Sequence, residues 1–158
     1  LNEIEALLQS VLGSAALDNK VSAEYEAFYW IAHDDKLQLE PGLNSTFTRQ
    51  RFLQRYALAN LYFATGGPNW SAQHNFLSRK NECFWYSSTA NSEGIGGAFC
   101  TTKSNPGSPQ VVDYISLSGN ELNATLPESL FQLPSLWAID LQNNKLSGPL
   151  PHALPPNL

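Results

Sequence analysis

Two kinds of hydrophobic spacing divide this chain. In the first third, apolar residues recur every three or four positions, which is typical of amphipathic helices. The first such stretch predicts a helix closed by Gly13 and Ser14, with an apolar face made of Ile4, Leu7, Leu8, Val11 and Leu12. After Val112 the apolar positions alternate instead, as they do in short half-buried strands. The chain is therefore predicted to begin with helices and to end in a sheet.

Two further helices are predicted before residue 70. One begins at Ser22, a good N-cap residue, and ends near Asp34 and Asp35, because two acids at a helix C-terminus oppose the helix dipole. The other runs from about Thr48 to Ala64 and ends at Gly66-Gly67-Pro68. It has two apolar stripes, so that it should be buried on two sides.

The residues from Val112 onward repeat with a period of 24. Apolar, asparagine and proline positions of the first stretch return in the second: Val112, Ile115, Leu117, Asn120, Leu122, Leu126, Pro127 and Leu130 recur as Leu136, Ile139, Leu141, Asn144, Leu146, Leu150, Pro151 and Leu154. The spacing matches the leucine-rich repeat signature, in which each coil gives one strand to a parallel sheet. Asn120 and Asn144 are predicted to be structural, since an asparagine amide can satisfy backbone groups in a tight turn.

Two segments, Leu-Ser-Gly-Pro-Leu-Pro at 146–151 and Leu-Asn-Ala-Thr-Leu-Pro at 122–127, resemble the plant-type extracellular leucine-rich repeat. Residues 25–35, 51–70 and 81–86 resemble the helical cap of leucine-rich repeat proteins that are abundant in diatoms. The chain departs from that pattern between Cys83 and Cys100, where a Gly/Ser/Asn-rich insertion replaces a much shorter link. The resemblance implies a curved solenoid that recognises proteins, peptides or glycans and has no chemistry of its own.

We therefore expect an α/β fold, a right-handed leucine-rich repeat solenoid with 24-residue repeats and a short parallel sheet, preceded by an all-helical N-terminal cap. The predicted divisions are the cap at 1–70, a disulfide-linked cap loop region at 71–111 and two leucine-rich repeats, the last incomplete, at 112–158. A stable solenoid usually needs three or more repeats, so we expect the natural protein to continue past Leu158. Alternatively, Leu158 is its end and a partner or a second copy covers the open face.

The two cysteines flank the segment that leads into the first repeat, as cap cysteines do in the plant-type family. That resemblance implies a Cys83–Cys100 disulfide. The alternatives are two free buried thiols in a cytosolic protein, or a zinc site, which two cysteines with no nearby histidine could not complete.

Three acceptor triplets for N-glycosylation begin at Asn44, Asn69 and Asn123. Asn44 and Asn123 are the better candidates, because Asn69 lies beside Trp70, which we expect to be packed in the cap. Together with the expected disulfide and the repeat type, the triplets favour the secretory pathway and an extracellular or cell-surface location.

Alternation along the strands indicates where a ligand would bind. With the leucines pointing inward, the intervening residues should face the concave side: Tyr114, Ser116 and Ser118 in the first coil, Ala138, Asp140 and Gln142 in the second, with Trp137 at the edge. The alternative for Tyr114 and Trp137 is packing against the cap or a neighbouring loop.

No catalytic, cofactor or metal site is predicted. His33, His74 and His152 lie far apart and no pair has metal-ligand spacing. The Gly94-Ile95-Gly96-Gly97 run superficially resembles a phosphate cradle, but no helix signal follows it, so we interpret it as a flexible loop. Adjacent acids at a helix end point apart, so Asp34 and Asp35 are interpreted as a solvated pair.

The composition of the chain restricts the classes of partner that it is expected to bind. The net charge is −5 and charged residues make up 15% of the chain, which argues against nucleic acid, since its binding needs a basic surface. No stretch approaches the roughly 20 apolar residues of a membrane span.

The predicted function is a non-enzymatic recognition module, the N-terminal part of a secreted or cell-surface leucine-rich repeat protein that binds a protein, peptide or glycan through its concave sheet. The alternative is a structural or adhesive component of an extracellular matrix or larger assembly that acts through its outer surfaces. Self-association through the open C-terminal end is a further expected contact.

Overall fold

The computed structural model describes residues 2–42, 44–91, 94–101, 110–150, 154–155 and 158. The helices come first: α1 (Asn2–Leu12), α2 (Ala23–Tyr29) and α3 (Thr46–Ala64). Helix α2 continues into a π-helical turn, Trp30–Asp34. Short 3-10 turns follow at Gly67–Asn69, Glu82–Phe84 and Glu128–Gln132. The three predicted helices are therefore confirmed, and α3 begins two residues earlier than expected.

Local capping interactions explain where helices α2 and α3 begin and where α3 ends. The Ser22 hydroxyl accepts a hydrogen bond from the Tyr25 N–H, which confirms Ser22 as the N-cap of α2. Ser45 caps α3 in the same way through the Thr48 N–H, which explains the earlier start. At the other end of α3, Gly66 adopts a left-handed conformation with φ of 72°, where a side chain would be strained.

The strands form two sheets in the part of the chain that the structure describes. They are β1 (Tyr86–Ser88), β2 (Ile95–Phe99), β3 (Tyr114–Ser116), β4 (Asn123–Ala124), β5 (Ala138–Asp140) and β6 (Lys145–Leu146). The larger sheet has the order β1-β2-β3-β5, and the smaller one pairs β4 with β6. Strands β3 and β5 are parallel with Ile115 opposite Ile139, so the 24-residue sequence offset is also the register of the sheet.

The segment between the two cysteines corrects the sequence analysis. Gly94-Ile95-Gly96-Gly97 was expected to be a flexible loop, but Ile95–Phe99 is a strand that pairs with β1 on one side and β3 on the other. Both pairings are antiparallel, so the larger sheet is mixed rather than a short parallel one. Its small residues are needed because Gly96, Gly97 and Ala98 are buried.

One continuous apolar core joins the helices to the repeats. Helix α3 is its centre and is buried on two sides, as its two apolar stripes predict. Inward-facing residues of the repeats complete the core, and several are fully buried: Ile115, Leu117, Leu122, Leu130 and Leu136. The chain is thus a mixed α/β structure with three helices and small sheets, compatible with a protein that contains leucine-rich repeats.

Candidate recognition surface

A row of four aromatic rings crosses the larger sheet. Neighbouring ring centroids are 5.4 Å apart from Tyr86 to Phe99, 5.5 Å from Phe99 to Tyr114 and 6.0 Å from Tyr114 to Trp137, with interplanar angles of 17–26°. The two ends of the row are exposed, Tyr86 by 38% and Trp137 by 50% of the residue surface. We call this side of the sheet the aromatic face. Cross-strand aromatic contacts of this kind stabilise a sheet and hold each ring in one orientation.

The β1–β2 half of the aromatic face depends on close backbone approach. A Cβ atom on Gly97 would lie 2.1 Å from the Trp85 carbonyl oxygen, and its φ of 131° is one that other residues rarely adopt. One on Gly96 would lie 2.8 Å from two atoms of the His74 ring. The His74 ring is buried under this hairpin, with Nδ1 hydrogen-bonded to the Ser87 hydroxyl at 3.0 Å. Burial lowers the pKa of His74, and hydrogen bonding with the Ser87 backbone opposes that shift.

The expected concave-face residues are all at least partly accessible. Tyr114, Ser116, Ser118, Ala138 and Asp140 are half-buried, whereas Gln142 and Trp137 are exposed. The Asp140 carboxylate accepts hydrogen bonds from the backbone N–H of Gln142 at 3.2 Å and from its side-chain amide at 3.4 Å. These contacts fix the orientation of the Asp140 carboxylate at the end of β5, the strand that follows Trp137. Binding through these residues stays a prediction.

The sequence analysis missed Tyr86 and Phe99. Tyr114 does pack against a neighbouring segment, as the alternative interpretation had it, but that segment is strand β2 and the contact extends the aromatic face. The alternation of Ile95, Gly97 and Phe99 was the sequence feature that indicated strand β2. The glycines obscured it, because glycine is rare in strands.

Asparagine side chains fasten the coils to one another. Asn144 Oδ1 accepts the backbone N–H groups of Asn120 and Leu122, both at 3.0 Å, and its Nδ2 donates to the carbonyls of Leu117 and Leu141. In the first coil, Asn120 Oδ1 accepts the N–H of Ala72 and Asn120 Nδ2 donates to the carbonyl of the same residue. The segment at Ala72 thus takes the position of a preceding coil and joins the helical region to the repeats.

A buried ion cluster corrects the interpretation of Asp34 and Asp35 as a solvated pair. Asp34 is exposed, but Asp35 is buried and its two carboxylate oxygens accept hydrogen bonds from Arg55 Nε and Nη2, both at 2.7 Å. Arg55 Nη1 donates to Glu82 Oε1 at 2.6 Å. The two acids do point apart, as expected, but the inner one faces a buried cation rather than solvent.

The remaining donors of Arg55 are also occupied. Nη1 donates to the carbonyl of Lys80 and Nη2 to that of Ser78, so all five N–H groups of the guanidinium have acceptors. The ring centroids of Trp30 and Trp85 lie 5.2 Å and 4.7 Å from its central carbon. Burial alone lowers the pKa of Arg55, but the hydrogen bonds and ion pairs with both carboxylates raise it overall.

The ion cluster reaches the first repeat through Gln54. Its side-chain amide nitrogen donates to Glu82 Oε2 at 3.2 Å, and its carbonyl oxygen accepts the backbone N–H of Val112 at 2.7 Å. The cluster therefore fixes α2, α3 and the Glu82–Phe84 turn to the start of the repeats. Cys83, in that turn, forms a disulfide with Cys100 after β2.

The three glycosylation candidates are exposed. Asn44 precedes α3, Asn69 ends a 3-10 turn and Asn123 begins β4. Trp70 is buried, as expected, but the Asn69 side chain beside it is not. Asn69 and Asn123 line the same small cleft on the side of the smaller sheet.

The described part of the chain offers few other candidates for a catalytic or metal-binding site. Nδ1 of His33 is hydrogen-bonded to the Tyr29 carbonyl, whereas His152 lies outside the described residues. Among the residues that the structure describes, no group of three or more His, Cys, Asp or Glu side chains could hold a metal ion. Within the same residues, no helix has both the length and the apolar character needed to cross a membrane.

The C-terminal stretch of the chain is similar to a known repeat family. The family model for the leucine-rich repeat matches residues 135–157, which contain β5 and β6. No curated protein and no solved structure matches the chain. The stretch from Val112 has the same spacing and pairs in register with the matched one. The match and this pairing support a leucine-rich repeat protein.

Proposed function

We propose that the chain is a non-enzymatic recognition module that binds a protein, peptide or glycan through the aromatic face. The observation that carries this proposal is the aligned row from Tyr86 to Trp137, with both ends exposed. Aromatic side chains supply large contact areas with little loss of conformational entropy, which is why they are enriched where proteins bind partners.

The repeat itself supports a partner of protein type, since the leucine-rich repeat motif is generally involved in protein binding. The hydrogen bonds of Asn120 and Asn144 support the proposal in a second way. They fix the strands before a ligand arrives, so that less ordering is required on binding.

We further propose that the two coils are part of a right-handed solenoid with a helical cap, divided as the sequence analysis expects. Parallel pairing of β3 with β5, displaced by 24 residues along the chain, and of β4 with β6, displaced by 22, supports this arrangement. Residues 1–70, 71–111 and 112–158 would be its cap, its disulfide-linked link and its repeats.

The proposed location is extracellular or at the cell surface. A disulfide between Cys83 and Cys100 and exposed acceptors at Asn44, Asn69 and Asn123 are compatible with the secretory pathway. We expect chain expressed through a eukaryotic secretory route to lose mass on enzymatic removal of N-glycans. We also expect no thiol to react with an alkylating reagent after denaturation without reductant. Two reactive thiols would contradict the secreted location.

Selection experiments test the aromatic face directly. A displayed random-peptide library and a printed glycan array are probed with the wild-type chain, with Trp137→Ala and with Asp140→Asn. Val21→Ala is the matched control, because Val21 is exposed but lies between α1 and α2. We expect the two sheet variants to lose most of the bound signal and the control to keep it. Equal signals from all four folded proteins would exclude this face as the binding site.

A structural or adhesive role is the second candidate, and exposed apolar side chains near the C-terminus favour it. Leu150 and Leu154 are 74% and 54% exposed. Self-association through this region is measured by sedimentation at increasing protein concentration. An oligomer that Leu150→Ser disrupts and Trp137→Ala does not would support this role over recognition through the aromatic face.

A further inference from the structure

A second aromatic site lies on the helical region, outside the aromatic face. It is an open cavity of about 290 Å³ whose lining residues come from α2, α3, the π-helical turn and the turn before α2. Its volume is close to the lower end of the range for small-molecule pockets, roughly 300 Å³. Four of the lining side chains are aromatic: Tyr25, Tyr29, Trp30 and Phe63.

The cavity already holds a cation against one of these rings. Lys20 Nζ lies 5.8 Å from the ring centroid of Tyr25, within the distance of about 6 Å at which ammonium groups are attracted to aromatic faces. Lys20 is an exposed residue on a turn, so its flexible stem lets the amine leave the ring at little cost. The Tyr25 ring is thus a cation site whose present occupant belongs to the chain itself.

Two carboxylates complete the cavity. Glu26 and Asp34 line it and both are exposed. Tyr29 is exposed as well, and its ring is held in place by stacking on His33 with centroids 4.3 Å apart. Aromatic faces combined with acidic groups are the chemistry by which proteins recognise quaternary ammonium groups.

We propose that this cavity binds a small quaternary ammonium ligand of the choline or betaine type, which displaces Lys20 from Tyr25. A quaternary ammonium group has no N–H donor and is weakly hydrated, so aromatic faces are its best partners. The primary amine of Lys20 is strongly hydrated and returns to water when displaced. The site is separate from the aromatic face, so its ligand does not depend on the function proposed above.

Choline chloride is the probe for the first experiment, with the whole chain in a calorimetric titration. The matched control ligand is 3,3-dimethylbutan-1-ol, which has the shape of choline but no charge. We expect saturable binding of choline and binding of the neutral alcohol that is weaker by roughly tenfold, as a cation–aromatic attraction requires. Equal affinities, or no binding of choline, would overturn the proposal.

Variants identify the ring that binds. Tyr25→Leu should weaken choline binding roughly tenfold, whereas Tyr25→Phe keeps the ring and should bind as the wild type does. Lys20→Ala frees the ring and should strengthen binding severalfold. Its control is Lys145→Ala, which removes the same charge from β6 and should have no effect. If Tyr25→Leu does not fold, Lys20→Ala decides alone, and an unchanged affinity in that variant would contradict the proposal.

The same chemical group occurs in trimethyl-lysine and in phosphatidylcholine headgroups. The titration is therefore repeated with a trimethyl-lysine peptide and with phosphatidylcholine vesicles. Competition between free choline and either probe at the same site supports the proposal. Binding of a peptide or a vesicle with no response to free choline would replace it with a peptide or membrane site.

Discussion

The helical region and the repeats both bury polar groups, but they satisfy them in different ways. In the repeats, one asparagine per coil serves backbone groups: Asn144 bonds its own coil and the preceding one, and Asn120, 24 residues earlier, bonds the segment at Ala72. In the helical region, one Arg55 serves two carboxylates and two carbonyls that lie 20 to 27 residues away along the chain.

The difference shows what a sequence can reveal about a buried polar group. A partner that recurs at a fixed period is visible as a pattern, because every coil repeats the same local geometry. A partner brought together once by tertiary packing leaves no pattern. In the sequence, Asp35 therefore looks like any solvated acid at the end of a helix. In the structure its carboxylate is fully buried against Arg55.

Arg55→Met should have the largest effect on stability, and it tests the buried ion cluster of the helical region. It leaves the carboxylates of Asp35 and Glu82 buried without a cation, and we expect a loss of about 3–5 kcal/mol in the free energy of unfolding. Denaturant unfolding followed by tryptophan fluorescence measures it. Arg49→Met, on the same helix, is the control and should cost less than about 1 kcal/mol.

A second variant separates charge from shape in the same cluster. Adding Asp35→Asn and Glu82→Gln to Arg55→Met removes the unpaired charges and should recover part of the lost stability. If the triple variant is no more stable than Arg55→Met, the cluster contributes through packing between Trp30 and Trp85 rather than through its charges.

Gly97→Ala should have the next largest effect, and it tests the strand that connects the two regions. The added Cβ would meet the Trp85 carbonyl at 2.1 Å and strain a positive φ, so we expect a loss of about 3 kcal/mol. Gly119→Ala is the control in the repeats. Its φ is also positive, but the Cβ would meet open space, so only the conformational cost of about 1–2 kcal/mol applies. Equal losses would mean that the close approach at Gly97 contributes nothing.

These variants also mark the limit of prediction from the sequence. The helices, the N-cap at Ser22 and the 24-residue register of β3 against β5 follow from local spacing, and the structure confirms them. The β1–β2 hairpin does not follow from it, because glycine provides no hydrophobic alternation and Gly97 is required by its positive φ and its approach to Trp85, which appear only in the folded chain. Half of the aromatic face, Tyr86 and Phe99, was therefore missed, whereas Tyr114 and Trp137 could be found from the repeat.

Asn144→Ala tests the asparagine hydrogen bonds that join the two coils of the repeats. It leaves backbone groups of Asn120, Leu122, Leu117 and Leu141 without their side-chain partner, and we expect a loss of about 2 kcal/mol. The effect is smaller than that of Arg55→Met because the groups left without a partner are neutral. Gln142→Ala, at an exposed neighbouring position, should change the stability by less than about 0.5 kcal/mol. Hydrogen exchange of the Leu122 amide provides a local check, since it should accelerate only in the asparagine variant.

The smallest expected effect on stability comes from His74, and it is measured as a dependence of stability on pH. Because burial lowers the pKa of His74 in the folded chain, the unfolded chain binds the proton more readily. Stability should therefore be unaffected by this group above its ordinary pKa of 6.5 and should decrease as the pH falls below that value. In His74→Asn this part of the pH dependence should disappear, while His33→Asn should retain it, since that variant keeps His74. If His74→Asn and the wild type lose stability equally between pH 7 and pH 5, roughly the range over which histidine titrates, the titrating groups lie elsewhere than under the hairpin.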